Sequence, residues 1–77
     1  MPVPSTEIRY KSLLKKVARN IRTERESRSL KQSDMPNFGF ETRFYQRLES
    51  GEHSPSLYTL FKLARAFDCE ISDLLCK

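Results

Sequence analysis

Between residues 10 and 21 the apolar side chains fall at Tyr10, Leu14, Val17 and Ile21, spaced four, three and four apart, which is the repeat of one face of an α-helix. The opposite face carries Lys11, Lys15, Lys16, Arg19 and Arg22, so the spacing predicts an amphipathic helix from Thr6 onward, capped by Ser5 or Thr6. Two prolines among the first five residues oppose a helix there, and residues 1–7 are expected to form an arm ahead of a domain at 8–77. The periodicity fades at Ser27, Arg28 and Ser29, polar residues that favour a boundary. From Leu30 to Ser50 the apolar positions are Leu30, Met35, Phe38, Phe40, Phe44, Tyr45 and Leu48, interrupted by Pro36 and Gly39. That pattern predicts two short helices joined by a tight turn at Gly39, the second closed by Gly51 as its C-cap. Pro55 and Ser56 open a further helix with Leu57, Leu60, Phe61, Leu63, Ala64 and Phe67 inward. Asp68 to Glu70 then lead into a last short helix around Ile71, Leu74 and Leu75. No stretch alternates with period two, so the predicted class is all-α.

Seventy-seven residues form one small domain, and a core of that size supplies only about 3–5 kcal/mol of stability. Fourteen Lys and Arg against ten Asp and Glu leave a net charge of +4, which makes a polyanion the first partner to consider. The charge is uneven. Residues 1–50 hold eleven basic and six acidic side chains, whereas residues 51–77 hold three and four, so one side of the molecule is expected to be electropositive. The apolar runs are far shorter than the roughly 20 residues needed to span a bilayer, and no hydrophobic leader segment opens the chain, so no membrane association and no processing are expected. Cys69 and Cys76 match neither a disulfide framework nor a zinc spacing, which fits a reducing cytoplasm without a metal or other cofactor. A single histidine, His53, with no paired nucleophile and no Gly-rich phosphate loop gives no catalytic set, so the chain is not expected to be an enzyme.

At 100° per residue, Tyr45 and Leu48 fall on one side of the helix in 41–50, and Arg43, Gln46, Arg47 and Ser50 on the other. Arg donates two hydrogen bonds in a planar fork that matches the O6 and N7 acceptors of guanine, and Gln does the same for adenine N6 and N7. Thr42, one turn nearer the N-terminus, adds contact with a thymine methyl or a phosphate. Taken alone, the same face also suits an ordinary solvated helix.

The surrounding order of residues narrows the choice. Leu30, Lys31 and Gln32, then Gly39, then Leu48, Glu49, Ser50 and Gly51, then Ser54, Pro55, Ser56, Leu57, Thr59, Leu60, Lys62, Leu63, Ala64 and Ala66, and finally Leu74 and Leu75, form a series that resembles the Xre-type helix-turn-helix domain of phage repressors. The resemblance covers about 55 residues, 21–75, and implies an all-α, five-helix phage-repressor-like DNA-binding domain. It implies that Thr42, Arg43 and Arg47, beside Gln46 from the wheel, occupy base-reading positions in the major groove. Gln32 and Lys31 would hold phosphate at the start of the second helix, and His53, Ser54 and Ser56 would lie on the sugar-phosphate backbone. Arg25 and Glu49 would form a structural ion pair. The function implied is a sequence-specific transcriptional regulator of the repressor kind, acting on double-stranded DNA as a homodimer.

Two departures from the family pattern stand out. The stretch from Gln32 to Gly39 is one residue shorter than the commonest family spacing, and Pro36 stands where a small helix-compatible residue is usual. The second helix is therefore expected to be short or distorted. Phe44 borders the reading face, where it either covers the edge of the core or meets a thymine methyl. A further apolar stripe, Ile8, Tyr10, Leu13 and Leu14, needs a cover, either the C-terminal helix, a second copy or another protein. The last option defines an alternative: a partner-binding module such as the antitoxin of a toxin and antitoxin pair. Controllers of restriction and modification genes share the same domain and size.

Overall fold

The computed structural model describes residues 3–76. Four α-helices and one 3₁₀ helix follow in the order α1 (Val3–Glu26), η1 (Gln32–Phe38), α2 (Thr42–Ser50), α3 (Leu57–Phe67) and α4 (Ile71–Leu75). Among the described residues there is no strand. Ile21, Met35, Tyr45, Leu48, Leu63, Phe67 and Leu74 are fully buried and draw side chains from all five elements into one core. The buried amide of Asn20 donates to the Leu74 carbonyl at 2.9 Å and ties α4 to α1.

Several boundaries differ from expectation. Residues 3–7, expected to be an arm, are the first turns of α1. Pro4 sits where the first N–H groups of a helix have no intrahelical partner, so its missing N–H removes nothing. Met1 and Pro2, also placed in that arm, lie outside the described residues, as does Lys77. Ile8 does not belong to the stripe of Tyr10, Leu13 and Leu14. It lies about 200° around the helix from Tyr10 and is 67% exposed. The rest of that stripe is partly covered: Tyr10, Leu13 and Leu14 line an apolar cleft of about 160 Å³ with Pro55, Leu60 and Leu75.

The second helix is short and distorted, as Pro36 requires. It is a 3₁₀ helix with the proline inside it, closed by Gly39 at φ +87°. The tight turn that follows is held by the Gly39 N–H on the Pro36 carbonyl at 3.0 Å and the Phe40 N–H on the Met35 carbonyl at 3.3 Å. In α3 the buried stripe is Leu60, Leu63, Ala64 and Phe67. Leu57 and Phe61, expected inward, are 72% and 50% exposed. Leu57 occupies the first turn beyond the core, and Phe61 stands one position, about 100°, past Leu60.

Candidate nucleic-acid interface

α2 begins and ends where the sequence predicts, because one end is capped by a side chain and the other by a glycine. The Glu41 carboxylate accepts from the Phe44 N–H at 2.8 Å, and Gly51 takes the left-handed conformation, φ +79°, returning its N–H to the Arg47 carbonyl. Tyr45 and Leu48 anchor the inner face in the core. Thr42, Arg43, Gln46, Arg47 and Ser50 are all exposed on the outer face. Arg43, Gln46 and Arg47 make no side-chain hydrogen bond or ion pair to another described residue, so their donors face outward unspent.

Behind that face lies a buried polar cluster centred on Glu49, whose side chain is 4% exposed against 9% for Arg25. Arg25 grips the carboxylate with two bonds, Nε to Oε2 at 2.6 Å and Nη2 to Oε1 at 3.1 Å. Its remaining arm, Nη1, donates to the Leu30 carbonyl at 2.7 Å. Gln32 Nε2 donates to Oε1 at 3.0 Å, and the Tyr45 hydroxyl donates to Oε2. One carboxylate thus joins α1, η1 and α2. Burial alone would push the Glu49 carboxyl up, but the hydrogen bonds from Arg25, Tyr45 and Gln32 together outweigh it and hold the group below its ordinary 4.5. Burial, and then the bond to this carboxylate, push the Tyr45 phenol up, so it stays protonated as a donor.

A carboxyl depressed on folding adds stability that is complete above its unfolded value and is lost as pH falls through the folded one. Urea midpoints measured from pH 7 to pH 3 are expected to fall below about pH 4.5, and Glu49→Gln should make that fall shallower. An identical pH profile in the variant would contradict the role given to this carboxyl.

The other residues singled out in the sequence are placed as follows. Lys31 is exposed at the start of η1, where its N–H meets the Asp34 carboxylate at 2.7 Å. Gln32 is half-buried and already bonded to Glu49. His53 packs edge-on against Phe44, the ring centroids 4.8 Å apart, while Phe44 also packs against the core. Ser54 shares a hydrogen bond with the Tyr10 hydroxyl. Ser56 is the N-cap of α3, accepting from the Thr59 N–H at 3.1 Å. Each of the three loop residues therefore has an internal partner.

Two features escaped the sequence reading. Lys62 donates to the Gly39 carbonyl at 2.6 Å and lies 4.7 Å from the Phe40 ring centre, bracing the turn before α2. Arg22 of α1 lines the same shallow depression as Gln32, Gln46 and Ser50, so the outer face of α2 continues onto α1. Neither was legible in periodicity, which relates neighbours along one helix and not residues on different ones.

In comparison with known proteins, residues 42–74 match the family model described as Helix-turn-helix. The match spans α2, α3 and most of α4, and stops short of η1 with its Pro36. No curated protein and no solved structure matches the chain. Among the described residues no helix is long and apolar enough to cross a membrane, and no three His, Cys, Asp or Glu residues are grouped to hold a metal ion.

Proposed function

We propose that this chain, whose residues 42–74 match the Helix-turn-helix family model, is an Xre-like transcriptional repressor that reads duplex DNA by laying α2 in the major groove. The observation that carries the reading is the outer face of α2, where Arg43, Gln46 and Arg47 stand exposed without protein partners. A fork-shaped donor left unpaired by its own protein is free for a base edge, and the buried cluster behind it fixes the helix that presents it. Thr42 stands beside them at the N-terminal end. Lys31, Gln32, His53, Ser54 and Ser56 supply backbone contacts in this reading, through groups left over from the internal bonds described above.

The regulator acts as a homodimer. Leu57, Tyr58 and Phe61 form a contiguous exposed apolar patch at the start of α3, on the order of 300–400 Å². The occupant it suits is a second copy, because residues 51–77 are close to neutral, with three basic and four acidic side chains, and two such faces meet without strong repulsion. Paired patches of that size fall below the roughly 1,200 Å² of a standard interface, so the dimer is weak in solution and is completed on DNA. Two recognition helices on a two-fold axis read half-sites about 34–36 Å apart.

Selection of the protein on a random duplex library tests the reading. The expected result is a two-fold symmetric motif, and Phe61→Glu should enrich at most a single half-site and bind the full motif as one copy per duplex. No motif, with binding that simply fades as salt rises, would mean charge without readout. That outcome favours the second reading, a partner-binding module such as an antitoxin. It is supported by Tyr10 and Leu13, which remain partly exposed over the apolar cleft of Leu14, Pro55 and Leu75. A controller of restriction and modification genes would give the same motif and the same dimer as a repressor.

A further inference from the structure

α1 extends about three turns ahead of its first buried side chains. Residues 5–16 contain no buried side chain, and twelve helical residues cover about 18 Å, so close to half of the helix stands beyond the core that begins at Val17. Beside Tyr10, Leu13 and Leu14, which line the apolar cleft with Pro55, Leu60 and Leu75, this stretch presents charge. Residues 7–16 hold Arg9, Lys11, Lys15 and Lys16 against the single acid Glu7.

The charges are not evenly spread. Lys11, Lys15 and Arg22 fall within about 40° of one another around the helix, in one row with Ala18. That row faces α2: a Cβ built on Gly51 would stand 3.9 Å from both Ala18 Cβ and Lys15 Cγ. Arg22, at the inner end of the row, lines a depression with Gln46 and Ser50. Gln46 and Ser50 line a second depression with Arg43, Arg47 and the acid Glu52, so the outer face of α2 is bordered by Arg22 on α1, with Lys15 and Lys11 farther along the same row. Arg22 is partly neutralised by Glu26 at 3.0 Å. Lys11 and Lys15 are exposed and form no ion pair with a described residue, Glu7 one turn earlier included.

We propose that Lys11 and Lys15, continued inward by Arg22, form a phosphate-binding strip on α1 that grips duplex DNA flanking the segment read by α2. The ligand is the sugar-phosphate backbone, and the strip carries no base preference of its own. From Lys11 to Arg22 it spans about 16 Å, a length over which one strand of duplex DNA presents roughly five phosphates, enough for three basic side chains. The strip rests on the DNA-binding reading, and deepens it by extending the footprint outward along α1.

The test compares the full chain with Lys11→Ala/Lys15→Ala on two duplexes, one trimmed to the selected motif and one with ten extra base pairs on each side. Affinity is measured across a salt series. On the long duplex the variant should lose about 2 from the slope of log K against log salt, with its base preference unchanged and wild-type slope on the short duplex. Lys11→Arg/Lys15→Arg should restore the slope. Both positions are exposed, and alanine favours helix, so folding is checked simply by circular dichroism. An unchanged slope on the long duplex overturns the strip alone, whereas a wild-type protein that binds neither duplex overturns the strip and the DNA-binding reading together.

Discussion

Glu49→Ala is expected to lower the free energy of unfolding by about 3–5 kcal/mol, the cost of leaving one member of a buried pair without the other. The loss would come less from the missing attraction than from what stays behind. Arg25, 9% exposed, would keep its charge inside the protein with only the Leu30 carbonyl and a long contact of 3.8 Å to the solvent-exposed Glu26 carboxylate, and Tyr45 and Gln32 would lose the acceptor they share. A chain whose core supplies a similar amount has no reserve to absorb this, so the variant should be substantially unfolded at 25 °C. Urea unfolding followed by circular dichroism would measure it, and a midpoint equal to wild type would remove the cluster from the account of stability. Arg25→Met/Glu49→Leu provides the complementary result. With both charges gone and the space filled, most of the loss should return. The double variant thereby separates an uncompensated charge from a general intolerance of change at the site.

Arg43→Ala/Arg47→Ala is expected to have the opposite profile, leaving stability within about 0.5 kcal/mol because both side chains are exposed and unpaired. On the selected motif each arginine should be worth about 1–3 kcal/mol if it forks onto a guanine. Together they would weaken binding by about 2–6 kcal/mol, or roughly 30-fold to 10⁴-fold. Binding to a scrambled duplex should weaken far less, since only the shared charge is lost there. Fluorescence anisotropy on both duplexes at one fixed salt concentration gives the ratio that matters. If that ratio is the same in wild type and variant, α2 is not the reading element.

How far the sequence reveals these features depends on how local their causes are. The bounds of α2, Gly51 as its C-cap and the division of its faces follow from residues within one or two turns of each other, and all were legible. So was the disturbance around Pro36, because a proline's missing N–H acts on its own turn. The pairing of Arg25 with Glu49 is different. No periodicity relates residues 24 apart in the chain, and only resemblance to a family pointed to it. The start of α1 is not where two prolines suggest, because Pro4 lies in the one turn that tolerates it. Leu57 and Phe61 fit the helical pattern of α3 as well as Leu60 does. What leaves them outside is the reach of the core, and the core's extent is set by how the other helices pack. Lys62 on the Gly39 carbonyl depends on the same tertiary placement.

The 3₁₀ geometry of η1 has a consequence for how the chain tolerates a change of length. A 3₁₀ helix rises about 2.0 Å per residue where an α-helix rises about 1.5 Å. The seven residues from Gln32 to Phe38 thus cover about 14 Å, a distance that would take an α-helix about nine residues. Seven residues wound this way deliver Gly39, and after it α2, about as far along as nine α-helical residues would. Pro36, which looks like damage when the helix is judged by its hydrogen bonds, sits in a segment that gains reach when it is judged by its pitch.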